Sequence, residues 1–375
     1  MQSIQRCTLF TLITTVALLW CSVAELHAAS RYVYGGDGTI DIASGSGRFK
    51  GAYRTGEDTY DSKAIAQIER VFGAGSPSPR LPQSSLPTGR QGGGEKAAPP
   101  TAGNYLIEIR FIEFLDYLQD HFSGSTITIR SGYRSPTYNQ SLRAAGKLAG
   151  KASMHQYGMA ADFSMKGVAS PKIWEYVRDL GYGGAGFYHG ALVHMDVGPS
   201  RFWDETSSKI DTDIADDNKL ITLVPHRDIY RPGEELVQRF IRMSAYPIGV
   251  DPSFTLERVE CTPLSPSRER DRERGASPSP RKGTLPPRGF TPCPLPSREG
   301  ESATWKRVEN FSPQFAAGSG GKCPQFSSID DMKNIRTSLP TTLAPGRYRV
   351  RARFCEKEWE AMPEEIVSYE FEVKP

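Results

Sequence analysis

The hydrophobic pattern of the chain changes near residue 219. Before it, apolar residues recur at helical spacing, and after it they alternate with polar ones. Residues 62–72 place Ile65, Ile68 and Phe72 on one side of a helix. Residues 104–122 carry a longer stripe of Leu106, Ile107, Phe111, Phe114, Leu115 and Leu118. Two further helices are predicted over 137–148, weakened near its end by Gly146, and over 171–180, where Pro171 suits the first turn. Short strand-like pieces lie among them: around the glycine-rich 35–38, over the β-branched 126–130, and over 181–188 and 191–197 with His189-Gly190 at the turn. The pattern predicts an α+β fold with a small antiparallel sheet flanked by helices.

From 219 onward no long amphipathic helix can be drawn. Residues 220–224, 236–242, 253–259, 346–354 and 368–373 alternate as strands do, with Arg231-Pro232-Gly233 and Ala344-Pro345-Gly346 as turns. This second region is predicted to be an all-β sandwich of immunoglobulin-like type, dividing the chain into domains 30–218 and 219–375. Nothing in it looks catalytic, and His226 and Trp305 read as packing or surface residues.

Three stretches follow neither pattern. Residues 1–29 start with Arg6, continue through an apolar run from Cys7 to Ala24, and reach His27-Ala28-Ala29, a cleavage-like site. A run this short followed by small residues reads as a signal peptide, so the protein is expected to be exported to the periplasm or cell envelope without stable membrane insertion after cleavage. Residues 75–102 and 262–300 are rich in Pro, Ser, Gly and Arg, and each contains Ser-Pro-Ser-Pro-Arg. Composition of this kind cannot bury a core, and both are expected to be disordered insertions. They also account for the positive charge. Residues 262–300 hold eight Lys/Arg against four Asp/Glu, and 75–102 hold three against one, so a chain of net charge +3 leaves −3 for the patterned regions. No basic surface for nucleic acid is implied.

The chemistry concentrates in Ser153-Met154-His155-Gln156-Tyr157-Gly158-Met159-Ala160-Ala161-Asp162 and in Val193-His194-Met195-Asp196-Val197-Gly198. His155 and Asp162 are too far apart for neighbouring positions on one helix face, and suit a loop running into a short buried strand. In the second piece Val193, Met195 and Val197 point one way, and His194 and Asp196 point the other. Two imidazoles and a carboxylate converging with one position left open make the ligand set of a catalytic zinc site: His155, Asp162 and His194. No cysteine lies nearby, which favours hydrolytic over structural zinc.

Ser153, His155, Gly158, Ala160 and Asp162 reproduce the pattern S-x-H-x-x-G-x-A-x-D, and 131–139 read Ser-Gly-Tyr-Arg-Ser-Pro-Thr-Tyr-Asn. With His194 and Asp196, these motifs resemble the zinc D-alanyl-D-alanine peptidases, a superfamily of peptidoglycan carboxypeptidases and endopeptidases, over roughly residues 104–205. The resemblance implies Zn²⁺ as cofactor, peptidoglycan peptides as partners, and hydrolysis of amide bonds in stem peptides or cross-links by a zinc-activated water. It also implies that Arg134 binds a substrate carboxylate or the developing oxyanion. Many relatives carry an acidic residue three positions before the last histidine ligand. Here that position is Ala191, which leaves Asp196, preferred, and His189 as candidate general bases. Asp196 could instead orient a ligand imidazole. The alternatives to an enzyme are a non-catalytic zinc-containing cell-wall binding module and an adhesive envelope protein whose β-sandwich does the binding.

Of the cysteines beyond the signal segment, Cys293 lies in an insertion, so Cys323 is expected to pair with Cys355, and Cys261 has no assigned partner.

Overall fold

The computed structural model describes residues 30–73, 105–147, 149–206, 221–243, 246–261, 303–315, 321–358 and 362–375. The expected signal segment, both low-complexity stretches and Cys293 lie outside the described residues.

The N-terminal part is mixed α/β. Strands β1 (Thr39–Ser44) and β2 (Gly47–Ala52) form a hairpin, followed by a short ribbon of β3 (Arg54–Gly56) and β4 (Thr59–Tyr60). Helix α1 (Ser62–Val71) begins where Asp61 accepts hydrogen bonds from the Lys63 and Ala64 amides. Helix α2 (Ile109–His121) starts later than its apolar stripe suggests. Glu108 stays extended, and its amide bonds to Gly158 O at 3.0 Å. Strand β5 (Ile127–Ser131) leads to α3 (Pro136–Ala144), capped by Ser135 Oγ with Pro136 in the first turn. A 3₁₀ turn (Met154–Tyr157), β6 (Ala160–Met165), α4 (Ser170–Leu180), β7 (Gly184–Phe187), β8 (Val193–Asp196) and β9 (Arg201–Asp204) follow.

These strands form one seven-stranded sheet in the order β2-β1-β5-β6-β8-β7-β9. The expected small antiparallel sheet is therefore corrected to a larger, mixed one, since β1 runs parallel to β5 and β7 parallel to β9. The second parallel pair follows from the hairpin. After β8 the chain reverses and pairs with the outer edge of β7, so β9 must run with β7. Phe111, Phe114, Leu115 and Leu118 of α2 join Ile42, Ile127, Phe163 and Met195 of the sheet in one buried core. At roughly 1.5–3 kcal/mol per fully buried large apolar side chain, this core fixes the sheet that carries the site.

The C-terminal part is all β. A three-stranded sheet contains β10 (Thr222–Pro225), β12 (Glu235–Ile241) and β17 (Ile335–Ser338) in the order β10-β12-β17. A second sheet runs in the order β11 (Ile229–Tyr230), β20 (Phe371–Val373), β18 (Gly346–Arg353), β14 (Phe254–Cys261), β15 (Ala303–Phe311), with β19 (Glu365–Val367) also on β18. Strands β13 (Ile248–Gly249) and β16 (Gln325–Phe326) pair separately. Leu223, Leu236, Phe240 and Ile335 from the first sheet and Leu256, Tyr348, Val350 and Phe371 from the second share one core. Cys323 and Cys355 are joined by a disulfide, as expected.

Simple alternation fails in β12, where every residue from Leu236 to Ile241 is buried. One face of β12 packs on its own core, and the other packs on the N-terminal part, whose core includes Val224 and Ile241. The contact is bolted by ion pairs: Arg239 with Glu108, Arg110 with Asp228, Arg227 with Asp58, and Arg31 with Glu234 at 2.7 Å. Tyr157 at the end of the 3₁₀ turn accepts from the Met243 amide at 3.0 Å, and its carbonyl accepts from Arg239 at 3.2 Å. The second part thus abuts the turn that carries His155.

Candidate metal centre

His155 lies in the 3₁₀ turn, Asp162 in β6 and His194 in β8, and the sheet brings them together by placing Asp162 directly opposite His194. All three are buried, and one ligand atom from each falls within 4.8 Å of the others. The turn ends at Gly158 with φ 66°, in the left-handed region, and a Cβ there would stand 1.8 Å from Leu106 O. This accounts for the glycine between the histidine and the aspartate.

Each imidazole has its outer nitrogen committed. His155 Nδ1 is 2.7 Å from Gly132 O, a carbonyl that can only accept, so Nδ1 carries the proton and Nε2 faces Asp162 Oδ1 at 3.6 Å. His194 stands between two carboxylates, Nε2 2.9 Å from Asp196 Oδ2 and Nδ1 2.9 Å from the same Asp162 Oδ1, so the neutral ring that donates to Asp196 turns an Nδ1 lone pair inward. Two imidazole lone pairs and a carboxylate oxygen therefore point at one another. Acceptors facing acceptors in a buried site repel unless a cation or a proton lies among them. The donor set is neutral nitrogen and anionic oxygen, which fits a borderline divalent ion such as Zn²⁺. Burial would raise the Asp162 pKa, but the two histidines hold it below the usual carboxylate range. Burial opposes charge on His194, yet its bonds to Asp162 and Asp196 raise its pKa, whereas burial lowers that of His155.

Arg134 stands beside the triad. Its Nη2 donates to Asp162 Oδ2 at 3.1 Å and to Ser131 Oγ at 2.8 Å, and its amide donates to His155 O. The Ser-Gly-Tyr-Arg segment thus supplies the carbonyl that orients His155 and the cation that neighbours Asp162.

Asp196 lies beneath His194 with no exposed surface. Its oxygens accept from His194 Nε2, from the Gly198 amide at 2.8 Å, and from Arg201 at 3.0 and 2.6 Å. Burial pushes its pKa up, but Arg201 and His194 outweigh this and hold it low. His189 occupies an exposed turn at φ 55° and bonds to Asp204 Oδ1 at 2.7 Å. Its ring packs on Phe187.

Three groups at the site were not singled out from the sequence: Arg201, Trp203 and Tyr188. Arg201 and Trp203 reach across β7 from β9, because β7 presents Gly184 and Gly186 there. A Cβ on Gly184 would lie 2.4 Å from Asp196 Oδ2, and one on Gly186 would lie 2.4 Å from the Trp203 ring. The register Trp203–Gly186–His194 and Arg201–Gly184–Asp196 runs straight across three strands. Tyr188, on the same parity, directs its hydroxyl to Asp162 Oδ1 at 3.0 Å. The readable signal is the alternation Gly184-x-Gly186-x-Tyr188, small residues on one face of a strand followed by a large polar one.

Comparison with known proteins bears on the same region. Residues 107–203 match the family model described as peptidoglycan L,D-endopeptidase MepK. Peptidoglycan L,D-endopeptidase MepK of Escherichia coli K12 is 38% identical over 78 residues, covering 20% of this chain and 43% of that protein. A probable peptidoglycan L,D-endopeptidase MepK of Haemophilus influenzae is 36% identical over 78 residues, 20% of this chain and 42% of that one. The chain thus spans less than half the length of these curated relatives. Among solved structures, the sporulation control protein Spo0M of Bacillus subtilis aligns over 42% of this chain and 49% of its own at 10% identity, with a TM-score of 0.22 that carries no argument about fold. No helix among the described residues is long and apolar enough to cross a membrane. The motifs read from the sequence, the matching family model and the curated relatives all point the same way: over residues 107–203 the chain is similar to the peptidoglycan peptidases of this superfamily.

Proposed function

We propose that this chain is a zinc-dependent peptidase of the cell envelope that hydrolyses amide bonds in peptidoglycan peptides, acting as an L,D-endopeptidase like the relatives it resembles. The observation that carries the reading is the convergence of His155 Nε2, His194 Nδ1 and Asp162 Oδ1, with both outer imidazole nitrogens already bonded. These three residues would hold the ion. Zn²⁺ bound there would supply Lewis-acid polarisation of an amide carbonyl and acidify water to a pKa of roughly 7.

The remaining roles belong to the protein. Gly132 O and Asp196 hold the imidazoles in the tautomers that present lone pairs inward. Asp196 itself, expected from the sequence as general base, is read here as the group that orients His194, since every hydrogen bond it accepts comes from the protein and none of its surface is open. Arg134 supplies a fixed cation at the rim for a substrate carboxylate or a developing oxyanion, and its Nη1 is not used in the bonds to Asp162 and Ser131. His189 is not given a role in the reaction. The all-β region, read as an immunoglobulin-like domain over 219–375, serves as a brace for the domain over 30–218, and the first segment directs export to the periplasm.

The test is digestion of purified L,D-cross-linked muropeptides with zinc-loaded protein, with products identified by mass spectrometry. Fragments carrying one new amine and one new carboxyl, abolished by a chelator, are expected. Retention of muropeptides on the protein without cleavage would mark a binding module instead.

A further inference from the structure

Of the two acid–base candidates of the sequence, Asp196 is sealed behind His194 and His189 is exposed on a turn, whereas another group reaches the point where the ligand atoms face one another. Asp162 Oδ1 is the focus of the site, because His155 Nε2 and His194 Nδ1 both face it. A third group reaches the same atom: the Tyr188 hydroxyl, at 3.0 Å. Tyr188 follows β7 on the parity of Gly184 and Gly186, the face on which Trp203 covers His194 at a ring-to-ring distance of 4.8 Å. Its side chain is half-buried, neither sealed like Asp196 nor turned outward like His189.

We propose that Tyr188 is a catalytic residue, donating its phenolic hydrogen bond to the substrate oxygen on which negative charge gathers as the amide carbon becomes tetrahedral. The inference rests on the proposed peptidase reading. A phenol offers one donor, and here that donor is aimed at the point where the three ligand atoms meet. A substrate carbonyl drawn to the triad arrives within reach of the same hydroxyl. The phenol keeps its proton throughout, so no further reactant is needed. A donor already in place at a partly dehydrated site costs little reorganisation when charge develops, which is how such groups lower a barrier. Arg134 on the Oδ2 side of Asp162 and Tyr188 on the Oδ1 side flank that carboxylate with two donors.

A bland alternative gives Tyr188 only the task of positioning Asp162, and the two differ in what Tyr188→Phe changes. The proposal expects Tyr188→Phe to retain about one Zn²⁺ per chain with unaltered affinity, to lower kcat on the muropeptide at saturating zinc by about 10²–10³-fold, and to leave KM nearly unchanged. It also expects acetohydroxamate, whose anionic oxygen mimics the developing charge, to bind the zinc-loaded variant at least about tenfold more weakly than wild type by calorimetry. Unchanged acetohydroxamate affinity, kcat within threefold of wild type at saturating zinc, or a loss confined to zinc affinity would each overturn it. If wild-type protein binds zinc and acetohydroxamate yet cuts no muropeptide, the peptidase reading fails, and the acetohydroxamate comparison still decides whether Tyr188 serves the metal centre.

Discussion

Replacing Arg239 by Met tests whether the all-β region braces the site or merely neighbours it. Arg239 is 2% exposed. It pairs with Glu108, donates to Tyr157 O at 3.2 Å, and lies 5.4 Å above the Tyr157 ring. Methionine preserves most of the stem volume but leaves the Glu108 carboxylate buried without its cation. Removing one partner of a buried pair typically costs about 3–5 kcal/mol, most of it the uncompensated charge. For folded units of this size each kcal/mol shifts Tm by roughly 2–4 °C, so a fall on the order of 10 °C is expected by scanning calorimetry. The double variant Glu108→Gln with Arg239→Met removes the stranded charge and should recover most of the loss. Added salt should change the single-variant penalty little, since the pair is shielded from solvent. Because Arg239 also holds the carbonyl two residues after His155, zinc affinity should fall in the single variant. A single-variant cost under about 1 kcal/mol, or a double variant no more stable than Arg239→Met, would refute the brace.

Asp196→Asn should weaken zinc binding on the order of 10–100-fold, read by competition with a chelating dye, because the group that fixes the His194 tautomer is altered. Turnover at saturating zinc should stay close to wild type, and a loss of about 10²-fold or more there would restore Asp196 as the base. His226 is buried between the two parts, and burial lowers its pKa to about 4. The unfolded chain therefore binds a proton between about pH 6.5 and 4 that the folded chain refuses, so stability should fall as pH drops through that window. His226→Leu should flatten this slope in urea titrations repeated across pH, and an unchanged slope would show that other groups set it.

The convergence of His155, Asp162 and His194 was legible because its information is local. Strand parity placed His194 and Asp196 on one face, and the small residues before Asp162 matched a buried strand, as β8 and β6 bear out in backbone terms. What escaped depends on contacts between distant segments. Strand β9 is only Arg-Phe-Trp-Asp, with no β-branched residue to announce it, and its parallel pairing with β7 follows from the order of strands. The start of α2 was placed too early because Glu108 is held outside the helix by Gly158. Arg239 looks like a solvent-facing strand residue, yet it is buried against Glu108, 131 residues away in sequence. Arg201 holds Asp196 from five residues on, but only because the β7–β9 pairing carries it back across Gly184.

The most direct test of the account is a zinc titration of the metal-free protein followed through the hydrolysis rate on L,D-cross-linked muropeptides. The rate should rise linearly and break at about one equivalent of Zn²⁺ per chain, and neither His155→Ala nor His194→Ala should show the break. Full hydrolysis by the metal-free protein, or no hydrolysis at any zinc level, would contradict it.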